Sequence, residues 1–208
     1  MVTNPRITEW PRPGTVRSEA LPLYPVLKFK KGKIVVISSK LTLDRRSLHN
    51  RIVKEGYVKK DTVLVDYGCG RGRVPIFFSK ETGCKAIGVE FADGFFQEAV
   101  QNVADAEVSD FVQIEKIAAE KYLVPEDVDV VYFFNPFSVE IFKKVVNQLL
   151  DSYYRKVRPM RILLYYPQAE YIAYLMSVEE VTFEDEIDCS DLFNEDTDRN
   201  RVMVFGMY

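Results

Sequence analysis

Short apolar runs alternate with longer stretches of helical spacing along most of this chain, and the rhythm is regular from residue 63 onward. The segments 63–66, 85–90, 111–115, 128–134 and 160–166 are brief and rich in β-branched and aromatic residues. They are bounded mostly by Gly, Pro, Asp or Asn, so each predicts a strand, the central ones buried. Between them, 74–80, 91–104 and 138–153 predict helices. In 138–153, Ile141, Val145, Leu149 and Tyr153 fall on one stripe. Pro75 is compatible with the first turn of the helix over 74–80. Pro167 halts the fifth strand, 168–176 predicts a short helix, and 181–187 and 201–208 predict two closing strands. A β-α-β-α-β order predicts an α/β fold built on a mainly parallel sheet with helices on both faces.

The first 60 residues follow another pattern. Residues 1–22 hold four of the ten prolines and show little periodicity, which predicts an irregular arm. Residues 26–37 predict a β-hairpin turning at Lys31-Gly32. Residues 41–56 predict a helix with Leu43, Leu48, Ile52 and Val53 on one side and Gly56 at its C-terminal stop. We therefore expect an N-terminal extension over 1–60, a candidate substrate lid, followed by one cofactor-binding domain over 61–208. At 208 residues the chain is long enough for a single domain with a two-sided core.

Composition narrows the setting. No apolar run approaches the ~20 residues of a membrane span, and the N-terminus opens no secretory pattern. Three cysteines (Cys69, Cys84, Cys189) contain no Cys-x-x-Cys, which argues against a disulfide framework or a zinc site and for a cytoplasmic, reducing location. The net charge of −3 conceals an asymmetry: residues 1–60 carry 14 Lys/Arg against 4 Asp/Glu, whereas 61–208 carry 14 against 27. Ten acids and no Lys or Arg lie within 179–198. Two readings stay open. The basic extension holds nucleic acid or another anionic partner, or it rests against the acidic C-terminal part. Overall acidity favours the second, because it opposes a duplex backbone.

The candidate chemistry sits where the first strand ends. Val63-Leu64-Val65-Asp66-Tyr67-Gly68-Cys69-Gly70-Arg71-Gly72-Arg73 breaks from an apolar run into three glycines at alternate positions. Glycine permits positive φ and lets a ligand lie against the backbone. The helix N-terminus behind the turn offers free N–H groups. The next strand ends in Glu90, 20 residues after Gly70, where a carboxylate can accept the hydroxyls of a ribose. A phosphate-gripping P-loop needs a Gly-Lys-Ser/Thr ending that is absent, and a dinucleotide fingerprint needs glycine where Arg73 stands. Cys69 is expected to fill a small position in the turn rather than act as a nucleophile. The single histidine, His49, lies in the extension and is expected to be structural or exposed.

From Asp66 to Gly72 the chain resembles the first motif of the class I S-adenosylmethionine (SAM)-dependent methyltransferases, an acid followed by Gly-x-Gly-x-Gly. Glu90 matches the acid of their second motif, and the likeness extends over about 60–208. The resemblance implies a Rossmann-like, doubly wound sheet of seven strands with the last antiparallel. It also implies SAM as cofactor, held by Asp66, Tyr67, Gly68, Cys69, Gly70, Gly72, Glu90, Phe91, Ala118 and Asn135. Ala118 falls where many members carry an acid toward adenine, so a backbone contact is expected there. Asn135-Pro136-Phe137 is similar to a shortened Asn-Pro-Pro-Tyr/Phe motif of methyltransferases that modify planar amino nitrogens, with one proline missing. It implies that Asn135, Pro136 and Phe137 shape the acceptor pocket. Asn-Pro is also an ordinary turn opener. The expected activity is methyl transfer to an acceptor that the sequence does not name, a protein, a nucleic acid or a small molecule. The alternatives are a non-catalytic SAM- or nucleic-acid-binding protein on the same fold and, disfavoured by Arg73, an NAD-dependent oxidoreductase.

Overall fold

The computed structural model describes residues 27–30, 33–36, 40–193 and 199–208. The arm expected over 1–22, the turn at Lys31-Gly32 and the acids Glu195, Asp196 and Asp198 lie outside the described residues. The N-terminal hairpin pairs β1 (Leu27–Lys30) with β2 (Lys33–Val36) antiparallel, and α1 (Lys40–Lys54) follows.

A seven-stranded sheet then forms from β3 (Val63–Tyr67), β4 (Lys85–Glu90), β5 (Val112–Lys116), β6 (Val130–Phe133), β7 (Met160–Tyr165), β8 (Thr182–Asp188) and β9 (Arg201–Met207). Its order is β5-β4-β3-β6-β7-β9-β8. The first five strands named in that order are parallel, and β9 runs antiparallel to both β7 and β8. The helices α2 (Arg73–Thr82), α3 (Asp93–Asp105), α4 (Val139–Arg155) and α5 (Ala169–Leu175) connect them. The Rossmann-like architecture is the expected one.

Alternation along the strands divides the core into two layers. Val65, Tyr67, Val131 and Phe133 face α4 and α5, whereas Leu64, Val130, Tyr132 and Leu163 face the layer of α1 and α2. On α4 the buried stripe is Phe142, Val145, Val146, Leu149 and Tyr153; Ile141, expected within it, is only half-buried. At about 100° per residue Ile141 falls at the border of this face and Phe142 near its centre, stacking on Tyr171 at 3.8 Å between centroids. Leu48 and Ile52 of α1 are fully buried with Phe77 and Phe78 of α2.

The chain leaves β3 outward through β4 and β5, then returns to place β6 on the other side of β3. The switch in direction therefore lies between β3 and β6. In an open parallel sheet, ligands settle outside the strand ends at such a point. The segments emerging there are Gly68–Gly72 and Asn135–Phe137.

Candidate functional site

Asp66 is the penultimate residue of β3, paired in register with Gly88 on one side and Tyr132 on the other. It is fully buried, and burial, with the Glu90 carboxylate adding to it, pushes its pKa up to about 8. The group is therefore a neutral acid at neutral pH.

The glycine turn then folds back over β4. Gly68 N and Cys69 N both donate to the Val89 carbonyl, at 2.9 and 3.1 Å, and Gly72 N closes on the Cys69 carbonyl at 2.9 Å. Gly68 has φ 72°, and a methyl group added there would lie 2.4 Å from Pro136 Cβ. That close approach joins the first segment of the site to the second. Gly70 differs: its φ is 56°, but a methyl group there would meet nothing within 4 Å among the described residues, so its face is open with respect to them. Gly72 caps the start of α2.

Glu90 ends β4 and ties three pieces together. Its Oε2 accepts from Gly70 N at 2.9 Å and its Oε1 from Ala92 N at 2.8 Å, while its carbonyl accepts from Ile117 N at 3.2 Å. Ala118 thus lies in a loop that hangs from the end of β4. Phe91, next to Glu90, is 73% exposed. The turn is also fastened to α3, because Asn102 Nδ2 donates to the Arg71 carbonyl at 2.9 Å and the Arg71 side chain pairs with Glu98.

Tyr67 and Cys69 contribute differently from their neighbours. The Tyr67 ring turns into the core and stacks on Phe133 at 5.2 Å, so its backbone alone faces the turn. The Cys69 side chain fills the space above Gly88, where an added methyl would lie 2.7 Å from Sγ. Burial pushes its thiol well above the ordinary range, so it stays protonated, in keeping with a packing role. His49 is buried as well, with Nε2 3.2 Å from the Tyr132 hydroxyl and its ring against Phe77 and Phe78, each at 5.3 Å. It packs on the α1–α2 side of the sheet.

Asn135 stands just beyond β6 with φ 42°. That left-handed turn explains why β6 stops at Phe133, earlier than the apolar run suggests, and leaves Phe134 37% exposed against Tyr165 at 4.7 Å. The Asn135 Nδ2 donates to the Tyr166 carbonyl, and Oδ1 is buried with no partner among the described residues. Phe137 meets Phe133 edge-on at 6.1 Å, and its carbonyl accepts from the Tyr171 hydroxyl. The structure thus brings the glycine turn, Glu90 and Asn135–Phe137 to one edge of the sheet. Tyr166 and Phe134 at that edge were not expected from the sequence, since nothing in their local pattern distinguishes them from ordinary strand-end aromatics.

The basic and acidic regions also meet. Arg51 of α1 pairs with Asp191 and donates to the Asp188 carbonyl at 2.6 Å, and the Tyr57 hydroxyl donates to Asp185 at 2.6 Å. Of the basic residues in the extension, Arg51 is thus one that touches the acidic segment.

Residues 64–160 match the profile of a family described as a methyltransferase domain. Over 87 residues the chain is 32% identical to protein arginine N-methyltransferase 1 of Chlamydomonas reinhardtii, a match covering 41% of this chain. The chain spans about a quarter of the length of that curated relative, 25%. Among solved structures, the chain is similar to an RNA methyltransferase from Salinibacter ruber in complex with S-adenosyl-L-homocysteine (TM-score 0.55, 15% identity, 77% of this chain and 90% of that one). It is similar also to a human methyltransferase 10 domain containing protein (TM-score 0.56, 17% identity, 83% and 84%).

Proposed function

We propose that this chain, whose residues 64–160 match the profile of a methyltransferase domain, transfers a methyl group from SAM to a nitrogen acceptor bearing N–H donors. The observation that carries the reading is the link from Gly70 N to Glu90 Oε2 beside an open Gly70 face. It joins a turn able to take a ligand against its backbone to a carboxylate able to accept ribose hydroxyls. When bound, SAM supplies an electrophilic methyl on a sulfonium.

In this reading the chain's own residues do the rest. Glu90 accepts the ribose hydroxyls, Phe91 and the loop at Ala118 flank the adenine, and the turn from Gly68 to Gly72 lies along the methionine part. Asp66, neutral and buried, underpins the turn. Asn135, Pro136 and Phe137 wall the acceptor side, where Pro136 packs on Gly68 and so sets the spacing between acceptor and cofactor. Alignment of the reacting atoms supplies much of the rate in such a transfer. An amide or ring-conjugated nitrogen is a poor nucleophile, and an acceptor on its hydrogen returns electron density to it; Asn135 Oδ1 is the group for that task.

The three buried, free cysteines fit a reducing, cytoplasmic setting, and among the described residues no helix is long and apolar enough to cross a membrane. The relatives named above include an RNA methyltransferase and a protein arginine methyltransferase, which sets the range to search. A labelled-methyl transfer screen from SAM over protein, RNA and metabolite pools tests the proposal. Label in one pool, lost with Glu90→Ala, supports it; no transfer to any pool by a folded chain that binds SAM refutes the catalytic reading.

A further inference from the structure

Contacts that neither the glycine turn nor Glu90 explains hold the acceptor side of the site. Asn135 and Tyr166, where β6 and β7 give way to loops, both take left-handed backbone, with φ of 42° and 51°. Neither is glycine, and such residues persist where the surrounding fold over-determines them, often at ligand clamps. The Tyr166 carbonyl accepts from Asn135 Nδ2 and from Arg199 Nη2 at 3.4 Å. Arg199 Nε donates to the Pro167 carbonyl at 3.3 Å, and the guanidinium carbon stands 4.2 Å from the centre of the Tyr166 ring. Tyr166 N donates to the Arg201 carbonyl at 3.1 Å. Tyr166 is thus held from its ring, its carbonyl and its N–H, and in turn holds the Asn135 carboxamide by the NH₂ end.

What is left is the other end of that carboxamide. Oδ1 is buried and has no partner among the described residues. A carboxamide offers two donors and one carbonyl acceptor. Once the NH₂ is fixed on Tyr166, the direction of the oxygen follows. A buried acceptor without a donor is unfavourable, and an incoming N–H relieves it.

We propose that Tyr166 and Arg199 are positioning residues of the acceptor site: they fix the Asn135 carboxamide so that Oδ1 meets an N–H donor at the point of methyl transfer. This rests on the function proposed above and extends it to residues just after β7 and just before β9. Because Tyr166 acts through a backbone carbonyl, Arg199 is the side chain to change.

The probe is sinefungin, in which a carbon bearing an ammonium group replaces the methylated sulfur of SAM. It puts N–H donors where the methyl would stand. Its affinity is compared by calorimetry with that of S-adenosylhomocysteine for the full chain, Arg199→Ala, Arg199→Lys and Asn135→Ala, with thermal unfolding to confirm that each is folded. The wild-type chain binds sinefungin about tenfold more tightly, as a hydrogen bond to a charged donor implies. Arg199→Ala loses most of that preference while binding S-adenosylhomocysteine within about threefold of wild type, Asn135→Ala loses the preference as well, and Arg199→Lys recovers part of it. Binding of both compounds with an unaltered preference in Arg199→Ala, or with no preference in wild type, overturns the positioning role alone. Failure of the folded wild-type chain to bind either analogue overturns the cofactor reading, and the positioning role with it.

Discussion

Gly68 and Gly70 sit two residues apart in one turn, yet replacing each with alanine has different consequences. At Gly68, φ is 72° and the new methyl falls 2.4 Å from Pro136 Cβ. Left-handed backbone costs a non-glycine residue about 1–2 kcal/mol, and forcing a methyl into filled space adds about 1–3 kcal/mol. Gly68→Ala is therefore destabilising by roughly 2–5 kcal/mol, the sum of those two effects. At about 2–4 °C per kcal/mol for a chain of this size, the thermal midpoint falls by roughly 4–20 °C. At Gly70, φ is 56° and nothing lies within 4 Å among the described residues, so only the backbone effect of about 1–2 kcal/mol remains. The same open face is where the ligand is proposed to lie, so the Gly70 methyl intrudes on the cofactor. Gly70→Ala keeps most of its stability and weakens S-adenosylhomocysteine at least about tenfold, which is ~1.4 kcal/mol. Differential scanning calorimetry and isothermal titration on the two variants read both quantities. The reasoning fails if Gly70→Ala is as destabilising as Gly68→Ala, or if Gly70→Ala binds the analogue as wild type does.

Three further outcomes follow from the same geometry. Glu90→Ala removes the acceptor of Gly70 N and of the proposed ribose hydroxyls, so S-adenosylhomocysteine affinity falls roughly ten- to a hundredfold, the equivalent of ~1.5–3 kcal/mol; unchanged affinity by titration removes the ribose assignment. Asp66 titrates near 8 in the folded chain against 3.8 for the ordinary group. Its folded form holds the proton more tightly, so its contribution to stability is complete below about pH 4 and is lost as pH rises toward 8. The loss is at most ~1.4 kcal/mol per pH unit. Urea unfolding at pH 5, 6, 7 and 9 shows this decline in wild type and a flatter profile in Asp66→Asn; parallel profiles contradict the buried acid. All three cysteines are free and buried, with their thiol pKa values raised mainly by burial. A chromogenic disulfide reagent therefore labels almost no thiol in the native chain and three in denaturant, and rapid native labelling of Cys69 contradicts its packing role.

The parts of the fold legible in the sequence are those whose physics is local. Three alternate glycines after an apolar run announce a turn with positive φ, because few other residues tolerate that backbone. Glu90 is legible because it ends the next apolar run, and its bond to Gly70 N follows from the two strands lying side by side in register. The periodicity of α4 marks a buried face on which Ile141 lies at the border and Phe142, about 100° further round, near the centre, where it stacks on the Tyr171 ring. Contacts across long separations leave no periodic trace. His49 meets Tyr132 across 83 residues, and Arg199 reaches the Tyr166 carbonyl across 33. In that contact one partner is a backbone atom, which any residue type supplies. The insertion of β9 between β7 and β8 is likewise invisible to strand propensity, because pairing order depends on which edges remain open once the parallel strands are in place.

The glycine turn and Glu90 are together proposed to hold SAM. Two-dimensional ¹H–¹⁵N spectra of the labelled chain, recorded while S-adenosylhomocysteine is added, test it most directly. Saturable shifts are expected in the amides of Gly68, Gly70, Gly72, Ala92 and Ala118, with β8 and β9 unmoved. A spectrum without change, or one in which the shifts gather on β8 and β9 and spare the turn, contradicts it.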